Sequence, residues 1–203
     1  LKKIKYYNTT EGKDLKFFLK IFPKDIPTIL IAPESDKISI DLYRNLRKEL
    51  NLQHSKLNSL KIFSSKLKTA KKLASLNIPT IECKDLKKIT KIPIISKPIY
   101  GAGSEMISIL KKNNFKIDKG FVYQEYYPGK KASFSMLCFK GKCKLISCNS
   151  QIVSIDNNQI HQIGSIVGGM EKHRKVFKEL ANKISKNFKD LYGLIGVDIV
   201  KNK

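Results

Sequence analysis

Between residues 92 and 148 the chain carries one short β pattern after another. IPIIS stands at 92–96, MISIL at 106–110 and GFVYQEYY at 120–127; ASFSMLCF and CKLISCN then flank Lys140-Gly141-Lys142. ASFSMLCF alternates cleanly, the period-two signature of a strand with one buried face. Its sequel across Gly141 reads as the second arm of a hairpin. Cys138, Cys143 and Cys148 sit five apart on this hairpin. In regular strands that spacing turns Cys143 away from the other two.

Helical patterns bracket the strands. TILIA at 28–32 reads as a buried strand running into the loop PESD, and Ser39 is placed to cap a helix with Leu42, Tyr43, Leu46 and Leu50 on its apolar face. After a polar stretch, Ser64 is expected to begin a helix carrying Leu67, Ala70 and Ala74, ending at Asn77 before Pro79. Residues 149 to 170, with the glycines of IGSIVGG, read as a polar loop. Phe177, Leu180, Ile184, Phe188 and Leu191 then share one face of a long helix, and LIGVDIV is a final strand. The whole predicts a multi-layer α/β protein of α+β arrangement.

At 203 residues with 41% hydrophobic content, the chain can bury a real core. Its formal charge of +23 raises the question of nucleic acid. The lysines are scattered, however, and arginine occurs only at 44, 47 and 174. A solvated lysine surface, with no specific nucleic-acid partner, fits that distribution. No apolar run approaches the roughly 20 residues of a membrane-spanning helix, so no membrane partner is expected. The four cysteines lack CxxC spacing and the three histidines do not cluster, which points to reduced thiols in a cytoplasmic protein rather than to zinc.

One stretch asks for a ligand. KPIYGAGSEM, Lys97 to Met106, puts a lysine at the end of an apolar run and then opens into small residues. A lysine there is costly to bury unless an anion meets it, and glycines at 101 and 103 let backbone N–H groups approach a phosphate. The loop is not a dinucleotide fingerprint, having Met where a third glycine belongs, nor a Walker loop, having no GK[ST].

Lys66 near the start of a segment ending in LNIPT, then IISKPIYGAGS, VYQEYYPG and GVDIV, form an ordered series that resembles the ATP-grasp superfamily over about residues 28 to 203. The resemblance implies ATP held between two α+β subdomains, with residues 1–60 as the remnant of an N-terminal domain. Residues 61–203 would form the ATP-grasp domain, divided into 61–127 and 128–203. It implies that Lys66 and Lys97 reach the phosphates and that Gly101, Ala102, Gly103 and Ser104 fold over them. Gln124, Glu125, Tyr126 and Tyr127 would carry the adenine, and Ile95 and Lys131 complete the nucleotide set. Asp198 would hold magnesium. By their place rather than by the resemblance, Arg174 and His173, opening the last helix, read either as holding a substrate carboxylate at its positive end or as ordinary helix-start surface residues.

IAPESD, SLNIPT, CNSQIV and the GG...KHR stretch are similar to the branch containing tyramine–glutamate ligase of methanofuran biosynthesis. That likeness implies a carboxylate–amine ligase acting through an acyl phosphate on small-molecule substrates, glutamate among the candidate acids. Here Ser65-Lys66 replaces the usual DK, Asn149-Ser150-Gln151 replaces NRQ, and Lys130 and Lys131 stand where the branch has acids. The family's Glu-x-Asn magnesium pair follows the GVD strand, so the chain, which starts at Leu1, is expected to be a fragment, or else a degenerate, non-catalytic relative. The alternative class is a basic, non-catalytic module that binds nucleotide or nucleic acid.

Overall fold

The computed structural model describes residues 24–29, 37–84, 93–111 and 117–202. Most of TILIA and all of PESD lie outside them. Thr28 makes a parallel bridge to Leu52. Helix α1 (Lys37–Glu49) turns Tyr43 and Leu46 inward, and Leu50 just beyond it is buried as well. The Leu42 side chain lies outside the described residues. Ser39 stands inside this helix rather than at its cap, because the helix already begins at Lys37.

The stretch before Ser64 is a helix, α2 (Leu57–Phe63), whose seven residues are too few to show a periodic stripe. Ser64 closes that helix, and Ser65 opens α3 (Lys66–Ser75) by accepting the Lys68 N–H. Helix α3 ends as Pro79 suggested. Asn77 takes a left-handed φ of 52°, its N–H donates to Ala74 and that of Ile78 donates to Leu73. This pair of bonds is the Schellman stop, and it seats Ile78 in the core beside Leu73.

Seven strands follow: β1 (Ile94–Pro98), β2 (Ser108–Leu110), β3 (Phe121–Glu125), β4 (Lys130–Phe139), β5 (Lys142–Asp156), β6 (Gln159–Ile166) and β7 (Gly193–Lys201). They form one antiparallel sheet in the order β3-β1-β2-β6-β5-β4-β7. Positive φ at both Lys140 and Gly141 gives the β4–β5 turn the twist that matches its strands. Asn157 and Asn158 do the same for β5–β6. That second hairpin occupies most of the segment predicted to be a polar loop. Its residues are largely exposed or half-buried, so burial left no alternation to read.

The cysteine expectation is also corrected. Cys138 pairs with Cys143 and Phe134 with Cys148, the register shifting between Ser135 and Met136 so that Ile146 is an extra residue. A bulge of one residue reverses the parity of everything after it. All three cysteines therefore face one side, where Cys143 packs against the core that holds the other two. The described cysteines are free thiols.

Helix α4 (Arg174–Asn187) covers that side. Phe177, Ala181, Ile184 and Phe188 pack on Ala132, Phe134, Met136, Cys138 and Cys148. Each large side chain so buried contributes about 1.5–3 kcal/mol. The other face of β4 and β7 bears Lys131, Ser133, Ser135 and Asp198. Among the described residues no helix is long and apolar enough to cross a membrane.

Candidate functional site

β1 places Ile95 opposite Gln124 and Lys97 opposite Val122, so these four share one face of the sheet. Gln124 is buried, and its amide donates to Ile81 O at 2.5 Å and to the Cys83 thiol at 3.4 Å. Burial holds the Lys97 ammonium below the ordinary lysine range; Cys83 and Asp198 pull it back up, and Lys131 presses it further down.

That set of neighbours has a geometric meaning. β1 and β7 are five strand positions apart, about 24 Å in a flat sheet at ~4.8 Å per step. Asp198 on β7 and Lys131 on β4 act on Lys97 only if the sheet curls until its ends approach. The curl makes the cleft.

Lys66, the first residue of α3, completes the cationic wall. Its Nζ donates to Gly101 O at 2.7 Å and Tyr100 O at 3.4 Å, tying the helix to the root of the glycine loop. Burial lowers its pKa first, and Lys97 lowers it again. The loop itself is exposed from Gly101 to Gly103, with left-handed φ at Gly101, Gly103 and Ser104. Glycine takes such angles without strain, and a loop of this kind leaves room for backbone N–H groups to approach a phosphate. Ala102 lies between the two glycines, its carbonyl accepting the Glu105 N–H at 3.5 Å.

β3 runs into the segment joining the two halves of the sheet. Glu125 receives Lys84 Nζ at 2.9 Å, and Tyr126 N donates to Pro93 O. Lys131 Nζ lies 5.2 Å above the Tyr126 ring and donates to Tyr127 O at 3.3 Å. Burial lowers the Lys131 pKa too. An open cleft of about 200 Å³, lined by Thr80, Ile81, Glu82, Lys84, Glu125 and Tyr127, sits beside this segment. Gly129 follows, and a Cβ there would meet Lys201 O at 2.5 Å. Gly129→Ala should cost about 1–3 kcal/mol by forcing β7 off the joining segment. A urea midpoint lowered by that amount at unchanged slope is the expected reading; an unmoved midpoint would show that the segment yields.

Asp198 stands exposed on the ligand-facing side of β7. Its Oδ1 accepts the Gln151 amide at 2.7 Å. Among the described residues no group of three His, Cys, Asp or Glu side chains could hold a metal ion. One carboxylate still suits magnesium, which keeps several waters and takes its other ligands from nucleotide phosphates. Gln151 and Cys83 escaped the sequence reading as site residues. Gln151 lay within the quoted Asn149-Ser150-Gln151, whereas no local signal places Cys83 beside Gln124.

Arg174 has partners within the protein. Its guanidinium donates to Leu145 O at 3.4 Å and Ile146 O at 2.9 Å, and its Nε pairs with Glu171 at 2.9 Å. Among the other sequence candidates, Ile95, Lys97 and Gln124 share one face of β1 and β3, Lys131 and Asp198 share one face of β4 and β7, and Glu125 and Tyr127 line the open cleft.

A family profile for the ATP-grasp domain matches residues 63–203. The chain belongs to the ATP-grasp family. An Archaeoglobus fulgidus protein described as ATP-grasp superfamily superimposes with a TM-score of 0.69 at 24% identity, covering 91% of this chain and 56% of its own. The biotin carboxylase domain of Hydrogenobacter thermophilus 2-oxoglutarate carboxylase, solved with MgADP, ADP and bicarbonate, gives 0.70 at 13% identity over 90% of this chain and 46% of that one. D-alanine–D-alanine ligase from Bacillus anthracis gives 0.60 at 18% identity over 96% and 70%. The chain thus spans about half the length of the first two. No curated protein sequence matches it. These likenesses establish the ATP-grasp fold, a mixed α/β structure with a curled antiparallel sheet.

Proposed function

We propose that this ATP-grasp chain binds MgATP in the curled cleft and serves an ATP-dependent carboxylate–amine ligase. The observation that carries the reading is a half-buried Lys97 that feels Asp198 and Lys131 across the curled sheet, with Lys66 beside it tied to the glycine loop. Ammonium groups held out of water are poised for a polyanion, which recovers their lost solvation. Lys66 and Lys97 would meet the phosphates, and the N–H groups of Gly101 to Ser104 would close over them. The adenine would lie along Gln124, Glu125, Tyr126 and Tyr127, with Ile95 below it and Lys131 at its edge.

Asp198 would hold magnesium, steadied by Gln151, and the ion would neutralise charge on the transferred phosphoryl group. The protein's part is positioning and electrostatics. A substrate carboxylate oxygen attacks the γ-phosphorus, the bond to the β-phosphate oxygen breaks, and ADP leaves. An amine then attacks the acyl phosphate carbon, releasing phosphate and a proton and forming the amide. The similar D-alanine–D-alanine ligase joins two amino acids, which supports a carboxylate and an amine as substrates. CNSQIV and the GG...KHR stretch favour a glutamate-like acid, as in the tyramine–glutamate ligase branch.

The test has two arms. Calorimetry on this chain is expected to show ADP and ATP binding strengthened by magnesium. Given ATP, magnesium, hydroxylamine and a panel of amino acids, the protein is expected to release ADP and phosphate and form a hydroxamate only with its own acid. AMP and pyrophosphate would identify an adenylate and overturn the acyl phosphate. Nucleotide binding with no release under any acid would make the protein a binding module.

A further inference from the structure

Asn149 and Gln151 owe their side of the sheet to the bulge. Below it Met136 pairs with Leu145, above it Ser135 with Ser147 and Ser133 with Asn149. Ser133 in turn pairs with Asp198 on β7. Without the extra residue Ile146, positions 149 and 151 would point toward α4, and Ser150 would stand on the ligand side instead. The Gln151–Asp198 bond exists only in the bulged register.

A bulge breaks the ladder and leaves backbone groups to be satisfied by something else. β6 ends at Ile166 opposite Ser150, so the part of β5 holding the bulge has no strand on its outer edge. The segment from Gly168 to Arg174 runs there. Gly168 N donates to Asn149 Oδ1, Met170 N to Cys148 O, and Cys148 N to Glu171 Oε1 at 2.9 Å. Arg174 takes the two carbonyls at the bulge, Leu145 and Ile146, and pairs with Glu171. Gly169 is pressed so close that a Cβ would meet the Ser150 Cβ at 2.9 Å.

We propose that Arg174 and Glu171 are positioning residues: they clamp the β5 bulge and thereby hold Asn149 and Gln151 on the ligand side, with Gln151 against Asp198. The clamp acts from the helix side of the sheet on a carboxylate that faces the other side. Its consequence for metal binding rests on the nucleotide reading above; its effect on register does not.

The experiment follows the Gln151 side-chain amide by NMR without nucleotide, its resonances identified by their loss in Gln151→Ala. In the unaltered protein they should be displaced and protected by the carboxylate. Arg174→Ala should return them to the free glutamine position, and Arg174→Lys, which keeps one donor for a bulge carbonyl, should restore them in part. Leu180→Ala, a loss of packing on the same helix, should leave them in place. A folded Arg174→Ala with unmoved Gln151 resonances overturns the proposal, as does an equal displacement in Leu180→Ala. Should Arg174→Ala not fold, Glu171→Gln carries the same test, because it removes the ion pair with little change in shape. With ADP added, the magnesium-dependent gain in affinity should fall about ten- to a hundredfold in Arg174→Ala, as when a metal ligand loses its outer support. Absence of nucleotide binding by the unaltered chain would sink the functional reading and leave the register result standing.

Discussion

Lys97→Met should weaken ADP and ATP binding about ten- to a hundredfold, the worth of one charge-assisted contact of roughly 1.5–3 kcal/mol. The same change should make the ligand-free protein more stable, because burial disfavours the ammonium at this position. The pH dependence has a definite sign. In the unfolded chain Lys97 titrates at its ordinary value, and in the fold it titrates lower. Below the folded pKa the whole penalty of the buried charge is present. As pH rises from there toward the ordinary lysine value, the folded amine sheds its proton first and relative stability increases. Phosphates arriving beside Lys97 pull its pKa back up, so binding in that alkaline window should take up protons. Calorimetry in buffers of different ionisation enthalpy would show the uptake, and Lys97→Met should reduce it. Some should remain, because burial also lowers Lys66 and Lys131. Unchanged nucleotide affinity in Lys97→Met would remove Lys97 from the phosphate site.

The strands with one buried face were legible, as were the helices with an apolar stripe. ASFSMLCF announced β4, and the spacing from Phe177 to Leu191 announced α4, because burial on one side imposes a period on the sequence. The Schellman stop was legible at Asn77 and Pro79. What failed to show was structure without that asymmetry. Helix α2 is two turns long, and the β5–β6 hairpin exposes residues on both faces. The bulge at Ile146 left no sign either, since an extra apolar residue looks like any other until the pairing is known. Local motifs named Lys66, Lys97, the glycine loop and Asp198. Only the curl of the sheet, a property of all seven strands, brings Lys97 within reach of Asp198. Arg174 illustrates the limit from the other side: a charged residue opening a helix suggests an anion site, and nothing local foretells that its guanidinium also reaches two carbonyls of β5.

The largest effect on stability should come from Phe134→Ala. Phe134 is fully buried on β4, between Val197 on β7 and Cys148 on β5, with the Phe177 ring 5.8 Å away. Removing a ring enclosed on both flanks and above leaves a cavity that strands and helix cannot close without breaking register, so the loss should be about 3–5 kcal/mol. Against a typical total of about 5–15 kcal/mol, that brings the domain near unfolding at ambient temperature. The site should survive where the fold does. Strand residues alternate, so Phe134 faces α4 while Ser133 and Ser135 face the ligand. The folded fraction of Phe134→Ala should therefore bind nucleotide with unaltered affinity. Saturating ligand then becomes a way to recover the variant: at about 100 times its dissociation constant it adds ~2.7 kcal/mol to the folded state. Urea titrations with and without MgADP should show a midpoint sharply lowered by Phe134→Ala and largely restored by nucleotide. A variant that stays folded yet binds MgADP more weakly would show that the two faces of β4 are coupled, and that the core sets the cleft as well as supporting it.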